Sequence, residues 1–69
     1  MPISGKAAVK ILERNGFIVS RQRGSHVVPT KQAAGNKNIV VVPLHKELKK
    51  GTLRSIARMA GLDTKELGL

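Results

Sequence analysis

The chain has no cysteine, no tryptophan and no tyrosine, and Phe17 is its only aromatic residue. Without cysteine there is neither a disulfide framework nor a thiolate metal site. With one aromatic ring, the core has to be built from Ile, Leu, Val and Ala. Binding of unstructured nucleic-acid strands by stacking bases on aromatic rings is also excluded as the main mode of grip. Acidic residues are scarce as well: 4 Asp and Glu stand against 13 Lys and Arg, and only 2 His are present. That composition argues against a structural zinc site, and no metal or small-molecule cofactor is expected. No apolar run approaches the length of a membrane span. The N-terminus carries Lys6 in a short mixed stretch, not the apolar run and cleavage site of a signal peptide. A soluble protein of a reducing cytoplasm is expected, with no membrane partner.

What is present is positive charge. A formal net charge of +9 in 69 residues points to an anionic partner. Nucleic acid is the leading class and an acidic protein the second. The length makes one domain, residues 1–69, with little core to spare. There are no internal repeats and no low-complexity tract.

Periodicity supplies the elements. Residues 1–16 read as a helix with Ser4 as N-cap, Ala8, Ile11, Leu12 and Asn15 along one face, and Gly16 as its stop. Gly5 in the first turn weakens it slightly. Residues 17–22 alternate as a strand, with Phe17, Val19 and Arg21 to one side. Arg23-Gly24-Ser25 makes a tight connection. A second strand, His26 to Thr30, is expected to be short or distorted after Val28, because Pro29 removes a ladder donor and belongs at an edge or a strand end. Residues 31–37 form a loop with its tip at Ala34-Gly35-Asn36. A third strand spans Asn38 to Pro43 and is apolar on both faces. A second helix runs from Thr52, its cap, to Ala60, with Leu53, Ile56, Ala57 and Ala60 as its buried stripe. Gly61 and Leu62 close it, and Asp63 with Glu66 forms a capping box for a last turn. The order predicts a two-layer α+β domain, α-β-β-β-α: a three-stranded antiparallel meander with both helices on one face.

The candidate site is Arg21-Gln22-Arg23-Gly24-Ser25-His26. Arginines hold phosphate through forked donors, glycine lets backbone approach a ligand, and His26 can exchange a proton near neutral pH. The pattern suits a phosphodiester, with His26 as the one group fitted to acid–base work. Ser25 has no acid–histidine arrangement that would make it a nucleophile and reads as a turn or phosphate contact. Lys46, Lys49 and Lys50 precede a helix start, which attracts anions. His45 is either a phosphate contact or acid partner, or a loop histidine packed against that helix start.

Gly24-Ser25-His26, Val42-Pro43-Leu44-His45, and Leu48 to Ile56 followed by Ala60-Gly61-Leu62 together resemble the HicA toxin family, also called YcfA-like. Ile11-Leu12 and Asn15-Gly16-Phe17 fit the same pattern, so the resemblance runs through essentially the whole chain. It implies a fold like the double-stranded-RNA-binding domain. It also implies an mRNA-cleaving toxin of a two-component module, held in check by a HicB-like antitoxin. The histidine of the Gly-Ser-His motif, here His26, would be catalytic. Two other readings use the same charge: a non-catalytic RNA-binding module of this fold, and a basic domain that docks on an acidic protein.

Overall fold

The first helix starts where its chemistry dictates. In the computed structural model, which describes residues 3–69, α1 spans Gly5–Arg14. The Ser4 side chain accepts the Ala7 N–H at 3.0 Å and so satisfies one of the orphan amides of the first turn. The expected start at Met1 lies outside the described residues. At the other end Phe17 N–H donates to Leu12 O at 3.0 Å, past Gly16 at φ +91°, and both apolar side chains turn into the core.

Gly5 has a purpose that helix propensity misses. A Cβ there would sit 2.1 Å from the Pro43 carbonyl oxygen and 2.7 Å from Leu44 Cα. Only a bare Cα lets α1 begin against the end of the sheet, and Gly5 N–H bonds His45 O at 2.9 Å across that contact.

Four strands form one antiparallel sheet: β1 Ile18–Arg23, β2 His26–Ala33, β3 Asn36–Ile39 and β4 Val42–Pro43. β2 is the middle strand, with β1 on one side and both β3 and β4 on the other. This corrects two expectations. The second strand does not stop at Thr30 but continues to Ala33, and the expected 31–37 loop shrinks to the two residues Ala34-Gly35, both at positive φ. That is the backbone of a type I′ hairpin turn, with Ala34 in a conformation that costs an L-residue roughly 1–2 kcal/mol.

Pro29 therefore lies in the centre of the sheet. Its effect falls on its neighbour. Thr30↔Ile39 and Val27↔Val42 belong to one register, so β3 and β4 are one extended segment. Between those pairs Val40 N–H donates to Pro29 O at 3.0 Å, but proline has no N–H to return. The ladder is interrupted there, and the expected single strand Asn38–Pro43 is split at Val40-Val41.

Helix α2 spans Lys50–Ala60, two residues earlier than expected; its N-cap is Lys49, without a side-chain bond, not Thr52. Leu53, Ile56, Ala57 and Ala60 form its buried stripe, and Gly61 closes it in the left-handed region with Leu62 N–H on Ala57 O at 2.9 Å. A short 3₁₀ turn, Thr64–Leu67, follows. Asp63 caps it through Lys65 N–H at 3.0 Å, but Glu66 does not close the box; its carboxylate accepts from Asn15 Nδ2 at 3.3 Å and ties the turn to α1.

Both helices and this turn pack on one face of the sheet. The core joins Ala8, Leu12, Phe17, Val40, Val42, Leu48, Ile56 and Leu67, and among the described residues it holds no polar or charged side chain. The α+β two-layer architecture, compatible with a double-stranded-RNA-binding-domain-like fold, is therefore as expected.

Candidate functional site

Cross-strand partners share a face of a sheet, and successive residues alternate. In β2, Val27 and Pro29 are buried under the helices, so His26, Val28 and Thr30 point to the other face. That face has no helix over it, and His26 is exposed.

Simple alternation would have separated the arginines from His26. Phe17 is buried on the helix side, and an unbroken strand would place Arg21 and Arg23 with it. The structure breaks the count. The β1–β2 pairing shifts between Val19 and Arg21, leaving Ser20 as an extra residue. Such a bulge re-aims everything beyond it. Val19 stays opposite Pro29 on the helix side, whereas Arg21 pairs with Val28 and Arg23 with His26. The expected placement of Arg21 beside Phe17 and Val19 is thus corrected: Arg21 and Arg23 share the open face with His26. Ser20 Oγ donates to Val28 O at 3.2 Å and holds the bulge to the neighbouring strand.

Gly24 and Ser25 are the two residues of the hairpin turn between Arg23 and His26. Gly24 has φ +54°, and a Cβ there would meet nothing within 4 Å. The conformation, not crowding, calls for glycine, and the space beside it is open to a ligand. Leu44 N–H donates to Ser25 O at 2.6 Å, which pins the turn to the exit of β4.

His45 follows directly. Its side chain is exposed, its carbonyl takes the Gly5 amide, and Pro43, two residues earlier, is the cross-strand partner of His26. The fold therefore brings both histidines to one end of the sheet, which sequence spacing did not reveal. Lys46, Lys49 and Lys50 are exposed in the loop after β4 and at the start of α2. Leu48, buried and bonded through its N–H to Ile3 O at 2.8 Å, anchors that loop. Because α2 lies on the covered side, Lys49 and Lys50 belong to the helix layer, not to the face that carries His26.

Three residues on the open face went unmarked in the sequence: Thr30, Lys37 and Ile39. Thr30 pairs with Ile39, and Lys37 with Gln32. Lys37 was hidden because residues 31–37 read as loop; Thr30 and Ile39 were expected in strands, but only the β2–β3 register sets them side by side. The bulge did leave a signal, since strict alternation would bury two arginines beside Phe17, an arrangement that costs too much to stand.

Chemically, the open face offers one imidazole, two guanidinium groups, an exposed turn backbone and no neighbouring carboxylate among the sheet residues described. Among the described residues no three His, Cys, Asp or Glu side chains cluster as metal ligands, and no helix is long and apolar enough to cross a membrane. An anion is what such a surface takes. Compared with known families, the sequence matches a family model described as "HicA toxin of bacterial toxin-antitoxin" over residues 5–62. No curated protein matches the chain.

Proposed function

This chain belongs to the HicA toxin family of bacterial toxin–antitoxin systems, and we propose that it is an endoribonuclease that cuts mRNA in the cytoplasm, with His26 as general base. The whole chain, residues 1–69, acts as the catalytic unit. As a toxin of such a system it has an antitoxin partner, and we propose that the partner is HicB-like.

The observation that carries this reading is the re-aimed strand. One bulge puts Arg21 and Arg23 on the same exposed face as His26, next to the Gly24-Ser25 turn. RNA carries its own nucleophile. His26 takes the proton of the 2′-hydroxyl, and the 2′-oxygen attacks phosphorus. The bond to the 5′-oxygen breaks, and that oxygen takes up a proton from solvent water as it leaves. The products are a 2′,3′-cyclic phosphate and a 5′-hydroxyl. Arg21, Arg23 and the turn amides of Gly24 and Ser25 hold the charge that builds on the phosphoryl oxygens. His45, at the same end of the sheet, contacts phosphate, and Lys46, Lys49 and Lys50 steer the polyanion from the helix layer.

Replacing His26 with Ala tests this. General acid–base contributions are typically about 10²–10⁴-fold, so cleavage of an RNA substrate should fall by that factor with the fold intact, because the side chain is exposed. Full cutting by His26→Ala, or a 5′-phosphate on the downstream fragment, would falsify the mechanism.

A further inference from the structure

The open face carries more than the catalytic hairpin. A groove of about 220 Å³ crosses the sheet, lined by Ser20 and Arg21 of β1, Val28 and Thr30 of β2, and Lys37 and Ile39 of β3. It lies on the same face as His26, because Arg21 pairs with Val28 and Thr30 with Ile39. Val28 and Thr30 follow His26 by two and four residues along β2, roughly 7–13 Å at the rise of a strand. About one or two nucleotides of an RNA chain span that distance.

We propose that this groove is a nucleotide subsite, which holds the ribonucleotide next to the scissile phosphodiester. The inference rests on the assignment of His26 as the cutting residue and adds where the neighbouring nucleotide binds. The lining has the chemistry of that ligand. Val28 and Ile39 give an apolar floor for the flat face of a base. The sheet has no aromatic ring on this side, so the base stacks on the flat face of the Arg21 guanidinium, whose N–H edge remains directed to the scissile phosphate. Lys37, on the opposite wall, is a point charge for the phosphate. The Thr30 hydroxyl can both donate and accept, which suits a ribose hydroxyl or a base edge. Ile39 is 51% exposed, an apolar surface left in water until something flat covers it.

The test uses the full chain and a short single-stranded RNA with 2′-O-methyl riboses, which binds but lacks the nucleophile. In the wild type, log affinity should fall linearly with log salt concentration. For single strands each phosphate contact contributes about 0.7 to that slope. Lys37→Gln should reduce the slope by about 0.7, which at 0.1 M salt is about a fivefold loss of affinity. Lys65→Gln, an exposed lysine on the C-terminal turn, should change neither. On cleavable RNA, Lys37→Gln should raise KM and leave kcat within a factor of about two. Unchanged affinity and slope in Lys37→Gln would overturn the subsite, as would absence of RNA binding by the wild type. So would loss of antitoxin binding with RNA binding intact, which would make the groove a protein contact. If Lys37→Gln weakens binding as expected but His26→Ala still cuts, the groove stands and the catalytic assignment falls.

Discussion

The two faces of the sheet are made by the same strands yet obey different rules. On the covered face Val27, Pro29, Val40 and Val42 are buried against α1 and α2, and each is fixed by its neighbours. On the open face Arg21, Arg23, His26, Ile39 and Val41 stand in water. Along β2 the two sets alternate residue by residue. A strand whose odd-numbered side chains are locked in a core holds its even-numbered ones in fixed register without spending contacts on them. That is how a chain of 69 residues can display a rigid cationic surface around a single imidazole.

Breaking the register should have the largest effect. Deleting Ser20 removes the bulge and forces either Phe17 and Val19 or Arg21 and Arg23 onto the wrong face. Burying two guanidinium groups or exposing the only aromatic residue costs several kcal/mol in either case. We expect an unfolded or molten chain, with lost thermal cooperativity in calorimetry and no RNA cleavage. A native-like melt with full cleavage would show that the bulge does not set the faces.

Next come substitutions confined to one face. Leu12→Ala empties a fully buried position and should cost about 2–5 kcal/mol in denaturant unfolding. His26→Ala should change stability by no more than about 0.5 kcal/mol while lowering cleavage about 10²–10⁴-fold. The contrast is the point: stability should follow the covered face and RNA cutting the open one. Comparable destabilisation by both variants would erase the distinction.

Gly5→Ala probes the joint between the layers. The added methyl collides with backbone at Pro43 and Leu44, which cannot swing aside as a side chain would. Overpacking of this kind costs about 1–3 kcal/mol, despite alanine's better helix propensity. A stabilised variant in urea titration would mean that the α1 start can move away from the sheet.

The smallest effect is a gain. Ala34 occupies a left-handed position in the β2–β3 turn, followed by Gly35. Asparagine tolerates that conformation far better, and Asn-Gly is the preferred pair for this turn. Ala34→Asn should add about 0.5–1 kcal/mol to unfolding free energy, with RNA cutting unchanged because the turn lies at the far end of β2 from His26. A loss of stability would contradict the assigned turn.

Much of this was open to reading from the residues alone, and the pattern of success is physical. Ser4 as cap, the Gly16 and Gly61 closures and the α2 stripe all depend on neighbours three to five positions away. Asp63 capped as expected, whereas Glu66 turned to Asn15, a partner 51 positions distant that no local rule contains. Pro29 is expected at an edge or a strand end but lies in the middle strand, which runs on to Ala33. The proline keeps its own strand intact and interrupts the one beside it, because the missing donor is felt by the partner at Val40. Lys37 stayed unmarked because its strand status depended on how far that hairpin zips.

By itself, then, the sequence determined an α+β chain with two amphipathic helices, a strongly cationic surface and a histidine beside two arginines, since composition and short-range periodicity are properties of the chain alone. Only the tertiary structure decided that Arg21 and Arg23 share a face with His26, and that His45 and the start of α1 meet the same end of the sheet. Facing is set by register, register by hydrogen bonds between strands, and one unpaired residue such as Ser20 reverses every side chain that follows it.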